Sequence, residues 1–386
     1  MTISVSASNS AGGLGDGYLK FVNIGRVFHL PTDALAFRAG QFELDLPFTQ
    51  ARTINLSPYD IYSESNIGAI NALTNQQNVA NQFTFAGAAR GIELSGGHLY
   101  GGYHYSVAIF DQNTSGINQP DNTSPYVPSA TGGANGGVGF ASDTSAKALY
   151  TRFSYRFNLE RDEANRKEIQ AAGPTGPRDH TYLNLGGFYL RGDSRQAFIG
   201  AAANGTDTTL LAVYEPYYRA GADFSFNYRT FNLYGLYMVA HDDNLLPVDA
   251  NGNVILLPLS TTMGPFPVRF VSSVPAKFSG GFVQADYLAL PWVMLIMRWD
   301  SVNSSADRIN GFALASGTPY FAPLRSTRTR FTPGVQFLIH PNIKASFEYQ
   351  FRPQQSVDIV TSAANLQTAL NAFRVQTALF GLEFVY

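Results

Sequence analysis

Arginine and carboxylate residues recur at every second position in several stretches of this sequence. In LYTRFSYRFNLE, Arg152 and Arg156 alternate with Leu149, Thr151, Phe153, Tyr155, Phe157 and Leu159. In RAGADFSFNYR, Arg219, Asp223 and Arg229 alternate with Ala220, Ala222, Phe224, Phe226 and Tyr228. In NIKASFEYQFR, Lys344, Glu348 and Arg352 alternate with Ile343, Ala345, Phe347, Tyr349 and Phe351. Asp286, Arg298, Asp300, Arg328 and Arg330 occupy like positions. Charges fixed along one face of a wetted wall set a transverse field that biases passing ions. The plainer reading is that they solvate the wall and pair with one another across strands.

Other chemistries find few residues. The six histidines (29, 98, 104, 180, 241 and 340) are scattered, with no HExxH or similar metal spacing. A hydrolytic site needs a nucleophile and a histidine at one rim, and no stretch suggests it. His241 with Asp242 and Asp243 is the densest cluster and reads as a solvated loop mouth. The glycine-rich TGGANGGVGF (131–140) has no strand leading in and no helix leaving, so it is not a phosphate cradle. With no cysteine, disulfides, covalent haem attachment and thiolate metal sites are excluded. The expectation is no enzyme, no metal and no cofactor.

The elements that carry the charges are strands. Their alternations run for roughly 10 to 13 residues, against about 5 or 6 in an ordinary globular sheet. Nine to eleven tilted residues suffice to cross a bilayer. Fourteen strands are expected, over 2–9, 18–29, 34–45, 82–95, 98–111, 146–160, 180–193, 216–228, 230–242, 277–289, 291–302, 327–340, 342–354 and 373–386. Short turns (30–33, 95–98, 229–230, 290–291 and 340–342) alternate with long polar loops (46–81, 112–145, 194–215, 243–276, 303–327 and 355–372). The exception is 161–179, a long charged segment in a short-turn slot. Helical spacing appears in SAANLQTALNAF (362–373) and RDEANRKEIQ (161–170).

Composition agrees. Aromatic residues make up 13% of the 386 and charged residues only 14%, where soluble domains average about a quarter charged. Mean hydropathy is nonetheless −0.07, so apolar residues are interleaved with uncharged polar ones. The best apolar run, Ala289–Met297, has nine residues and a proline, far short of a spanning helix. A net charge of −2 argues against a nucleic-acid partner. Long strands with one apolar face and alternating short and long connections predict an all-β, transmembrane, up-and-down antiparallel barrel. It would form a single domain over 1–386, embedded in bacterial outer-membrane lipid. A closed sheet satisfies every backbone group in lipid.

Three stretches carry a family resemblance. LAFRAGQFELDLPFTQAR (Leu35–Arg52) and RGIELSGGHLYGGYHYSVAIFDQ (Arg90–Gln112) resemble consecutive segments of Gram-negative porins of the phosphate-selective type. The terminal FGLEFVY is similar to the C-terminal signal of outer-membrane barrels. The resemblance implies a homotrimeric diffusion channel for small hydrophilic solutes, with a third loop folded inward as a constriction. The family's lysine cluster is missing, for the chain has five lysines. By the family pattern an N-terminal hairpin would precede residue 1, which would make sixteen strands.

The thirteen charged positions named at the outset are thus the expected pore lining. The loop Pro47–Gln82 would place Arg52, Tyr59, Asp60, Tyr62 and Glu64 in a constriction, or lie as a plain surface loop. Tyr100, Tyr103, Tyr182, Tyr217, Tyr218, Trp292 and Trp299 suit interfacial girdles or ordinary sheet positions. In FGLEFVY, Phe380, Leu382, Phe384 and Tyr386 would face lipid while the strand pairs with the first one. The alternative function keeps the barrel and makes it an insulating sheath around a multihaem cytochrome partner, an electron conduit.

Overall fold

Alternating side chains leave both edges of an extended strand free to pair, and fourteen such strands lie edge to edge in one sheet. The computed structural model describes residues 2–10, 13–31, 33–48, 69–70, 77–78, 89–97, 102–111, 147–159, 181–201, 208–242, 245–248, 269–272, 276–306, 324–340, 342–358 and 376–384. The first strands are β1 (Thr2–Ser10), β2 (Gly13–Val22), β3 (Ala36–Phe42), β4 (Ala69–Ile70), β5 (Gln77–Asn78) and β6 (Ala89–Gly97). Then come β7 (Gly102–Asp111), β8 (Lys147–Asn158), β9 (Tyr182–Ala201), β10 (Thr208–Tyr228), β11 (Phe231–Asp242) and β12 (Leu245–Val248). The last are β13 (Arg269–Ser272), β14 (Ala276–Leu290), β15 (Val293–Ala306), β16 (Leu324–His340), β17 (Ile343–Asp358) and β18 (Thr377–Phe384). β4 and β5 pair only with each other, as do β12 and β13. The remaining fourteen run antiparallel in chain order, as the alternation predicts.

Three expectations about boundaries need correction. The strand expected over 18–29 ends at Val22, and the chain turns through a 3₁₀ helix over Ile24–Phe28. Asn23 and His29 flank it at φ 61° and 59°, a left-handed conformation that asparagine tolerates. Pro31 then has no N–H to offer a ladder. The strand expected over 34–45 stops at Phe42. The loop expected over 194–215 is largely strand, because β9 runs on to Ala201 and β10 starts at Thr208. Its QAFIGA and TTLLAVY are as strand-prone as the stretches before them. The helical spacings at 161–170 and 362–373 lie outside the described residues.

The register is staggered in one sense. The first residue of five strands faces a residue short of the end of its next neighbour. Ala36 faces Ser95, Gly102 faces Arg156, Tyr182 faces Asn227, Phe231 faces Tyr287 and Val293 faces Phe337. A stagger of one sense in these five pairs matches the shear of strands tilted about a common axis.

The two faces of the sheet differ. Phe153, Tyr237, Val283, Met297, Trp299 and Phe380 stand exposed on one, while their sequence neighbours on the other are mostly buried. A single sheet can bury a whole face only by curling on itself. Two cross-strand rows lie near the two ends of the exposed apolar face on β10, β11 and β14: Tyr228, Phe231 and Tyr287 at one margin, Tyr218, His241 and Lys277 at the other. They lie ten residues apart on each strand, or about 25 Å along the axis of tilted strands. β18 pairs with β17, with Phe380 and Leu382 exposed as expected. Its expected pairing with β1 is not among the registers of the described residues.

Candidate functional site

The buried face has an apolar half and a polar half. Phe110, Tyr150, Leu190, Met238 and Phe282 project from β7, β8, β9, β11 and β14 into one cluster with Phe42, Leu44 and Leu46. The last two belong to the segment Glu43–Phe48, which leaves the end of β3 and crosses the interior. Leu46 N–H donates to the Leu44 carbonyl at 2.8 Å, tightening its path. Phe48 then packs on Tyr234 and Phe282, with ring centroids 5.1 and 5.7 Å away. In a flat sheet β3 and β14 would stand about 34 Å apart, beyond the ~20 Å that the six residue steps from Phe42 to Phe48 can span, so these contacts require the sheet to curl.

Asp45 anchors this segment. His104 Nε2 lies 2.9 Å from its Oδ2, and the Tyr150 hydroxyl donates to its carbonyl at 2.6 Å. Arg152 donates from Nη1 to the same carbonyl at 3.3 Å and from Nη2 to Asp223 Oδ1 at 3.4 Å. Asp223 stands opposite Gly186, where a β-carbon would meet its Oδ2 at 2.5 Å, so only glycine leaves room for the carboxylate. Behind the segment, Arg38 bonds Glu93 at 2.6 Å and the Glu43 carbonyl at 2.7 Å, and lies 4.2 Å over the Phe42 ring.

The polar half lies on β14–β17. Arg298 Nε donates to Asp300 Oδ1 at 2.8 Å, and Arg330 Nε donates to Asp300 Oδ2 at 3.3 Å. Arg298 also reaches Gln284 at 3.4 Å, Arg330 reaches Gln350 at 3.2 Å, and Gln284 donates to Asp286 at 2.8 Å. One carboxylate thus spans two guanidiniums, and amides continue the chain across four strands. Arg298 is further held 4.0 Å over the Phe282 ring, where the face of the π-system attracts a cation. The arrangement fixes a row of charges on one wall without leaving them free to swing.

Direct cross-strand register makes these pairs. Asp300 faces Arg330, Arg298 faces Gln284, Arg38 faces Glu93, and Lys344 faces its partner Glu383. Of the expected lining, Arg219, Asp223, Arg298, Asp300, Arg330 and Glu348 are buried on the inner face. Arg152, Arg156, Asp286 and Lys344 are partly buried there. Arg229 is a correction: it sits exposed in the turn after β10 at φ 52°, its guanidinium 5.3 Å over Tyr228. For Arg328 and Arg352 only the strand positions are described. Arg52, Tyr59, Asp60, Tyr62 and Glu64 lie outside the described residues. Asp45, His104, Tyr150, Arg38, Glu93, Gln284 and Gln350 were not singled out from sequence. Asp45 and Glu93 are acids inside alternating runs, but only the register reveals their partners.

No family model matches the chain, and no curated protein is matched. Among solved structures, OmpF of Salmonella typhi in complex with daunomycin is 12% identical, covering 96% of this chain and 78% of that one at a TM-score of 0.43. OmpT of Vibrio cholerae, expressed in the outer membrane, is 9% identical over 97% and 81%, with a TM-score of 0.39. A porin refined at 1.8 Å resolution is 8% identical over 99% and 90%, with a TM-score of 0.38. At these values the likenesses add nothing to the fold read from the register.

Proposed function

We propose that the chain is a bacterial outer-membrane channel of porin type, through which small hydrophilic solutes or ions diffuse passively. One observation carries the reading: the sheet exposes an apolar face between two margins about 25 Å apart, the height of the apolar band on membrane barrels, and buries its charged face. Such a surface would be a liability in water and is a match for hydrocarbon. No helix among the described residues is long and apolar enough to cross a membrane.

The passage would be narrow. Glu43–Phe48 crosses the interior and fills its apolar half, so water and solute would follow the polar wall of β14–β17. The residues beyond Phe48 would complete the constriction, with Arg52, Tyr59, Asp60, Tyr62 and Glu64 as its candidates. Selectivity for phosphate is not part of the proposal, because Asp300 spans the two arginines of the wall. The homotrimer that the sequence resemblance implies remains part of it. An electron conduit gains no support from the described residues.

Planar-bilayer recording tests the reading. The purified protein should give discrete conductance steps, and deleting the middle of Pro47–Gln82 should raise their size. A folded, inserted protein with no conductance would sink the channel, and an unchanged step in a folded deletion variant would sink the constriction.

A further inference from the structure

At the far margin of the apolar face, one cross-strand row differs in kind from the rest. Arg191 of β9 faces Tyr218 of β10, Tyr218 faces His241 of β11, and His241 faces Lys277 of β14. All four side chains are on the outer face, where Arg191, Tyr218 and Lys277 are exposed. The rings of Tyr218 and His241 stack at 5.4 Å and 5°. Tyr189 extends the stack, its centroid 6.3 Å from that of Tyr218. The row spans three strand spacings, about 14 Å, and contains two fixed cations, a histidine and no acid. The opposite margin is aromatic at the matching positions: Tyr228, Phe231 and Tyr287.

We infer that this row is a binding site for the phosphate of an anionic lipid headgroup, in the leaflet at the end of the β9–β10 and β11–β14 connections. Three arguments converge. The row adjoins the apolar face, so a lipid whose chains lie on Val239 and Tyr237 brings its headgroup to the cations. Guanidinium offers a planar fork that matches a phosphate, and ammonium adds a point charge within the same headgroup region. The stacked Tyr218–His241 pair gives a flat amphipathic platform of the kind that settles where hydrocarbon meets water. A solute in transit would not meet these groups, because they point away from the interior. The inference rests on the membrane reading above.

Native mass spectrometry of the full chain in detergent tests it, with phosphatidylglycerol and phosphatidylcholine of equal chain length supplied together. The wild-type protein should retain the anionic lipid in preference, on the order of tenfold for two cations near a headgroup. Arg191→Gln with Lys277→Gln should abolish the preference, while Arg26→Gln, on the exposed 3₁₀ turn, should leave it intact. Equal retention by the wild type, or a preference unchanged in the double variant, would overturn the site. Displacement of the lipid by excess inorganic phosphate would overturn the headgroup assignment in favour of a bare anion site. The same preparations go into planar bilayers: normal channels with equal lipid retention refute this inference alone, whereas failure to insert refutes the membrane reading beneath it.

Discussion

Asp300 is fully buried and sits between two arginines whose side chains are 5% and 9% exposed. The three residues make sense only together. Removing the acid strands two desolvated cations, and breaking a buried pair from one side costs about 3–5 kcal/mol. Asp300→Asn should therefore lower the unfolding free energy, measured by urea titration in detergent micelles, by an amount of that order. Replacing the acid and Arg298 together by Leu and Met should cost less, because fewer charges are left unpaired. A single variant within about 1 kcal/mol of wild type would show that the triad is solvated rather than buried. Alternation in the sequence was enough to put Arg298, Asp300 and Arg330 on one face. It was not enough to pair them, because the partner of Asp300 lies thirty residues on, in a register that alternation alone does not fix. The same reasoning made Arg229 look like wall: its spacing continues the pattern, and only the turn geometry takes it out.

The crossing segment Glu43–Phe48 is the element on which the proposed channel turns. From sequence, LDLPF continues the alternation of β3, and the strand was expected to run to residue 45. Leu44 and Leu46 are indeed both buried, but against β7–β14 rather than within the sheet. Burial of every second residue is the signature of a one-faced strand and equally of a segment threaded through a lumen. The sequence therefore could not separate them. Asp45 is the fastener, touched by His104, Tyr150 and Arg152. Asp45→Ala removes the carboxylate contacts to His104 and to Arg152 Nε, the latter at 3.8 Å, and leaves the carbonyl contacts in place. A loss of about 1–3 kcal/mol at this end of the segment should follow. Single-channel records of the variant should then show rapid fluctuations around a larger mean conductance, and a variant trace as quiet as that of the wild type would argue that Pro47 and Phe48 hold the segment alone.

For the molecule as a whole, the depth of a residue on the outer face should matter more than its identity. Val283 is near the middle of the apolar face and Tyr287 at its margin, both exposed. Arginine at the first should cost about 2–4 kcal/mol and at the second about 0–1, if the surrounding medium is a bilayer. Urea unfolding from lipid vesicles measures both, and equal costs would mean that the face does not lie in hydrocarbon. The crossing segment also has a consequence in time. Asp45 is 105 positions from Tyr150, and Phe48 reaches still later residues, Tyr234 and Phe282. If the sheet were laid down in chain order, Leu44, Leu46 and Phe48 would wait wet until β8, β11 and β14 arrived. Pairings across such separations pay their loop-closure entropy before any contact repays it. Assembly should therefore pause with a partly curled sheet and an uncovered apolar segment, and the step that shelters the segment should set the rate.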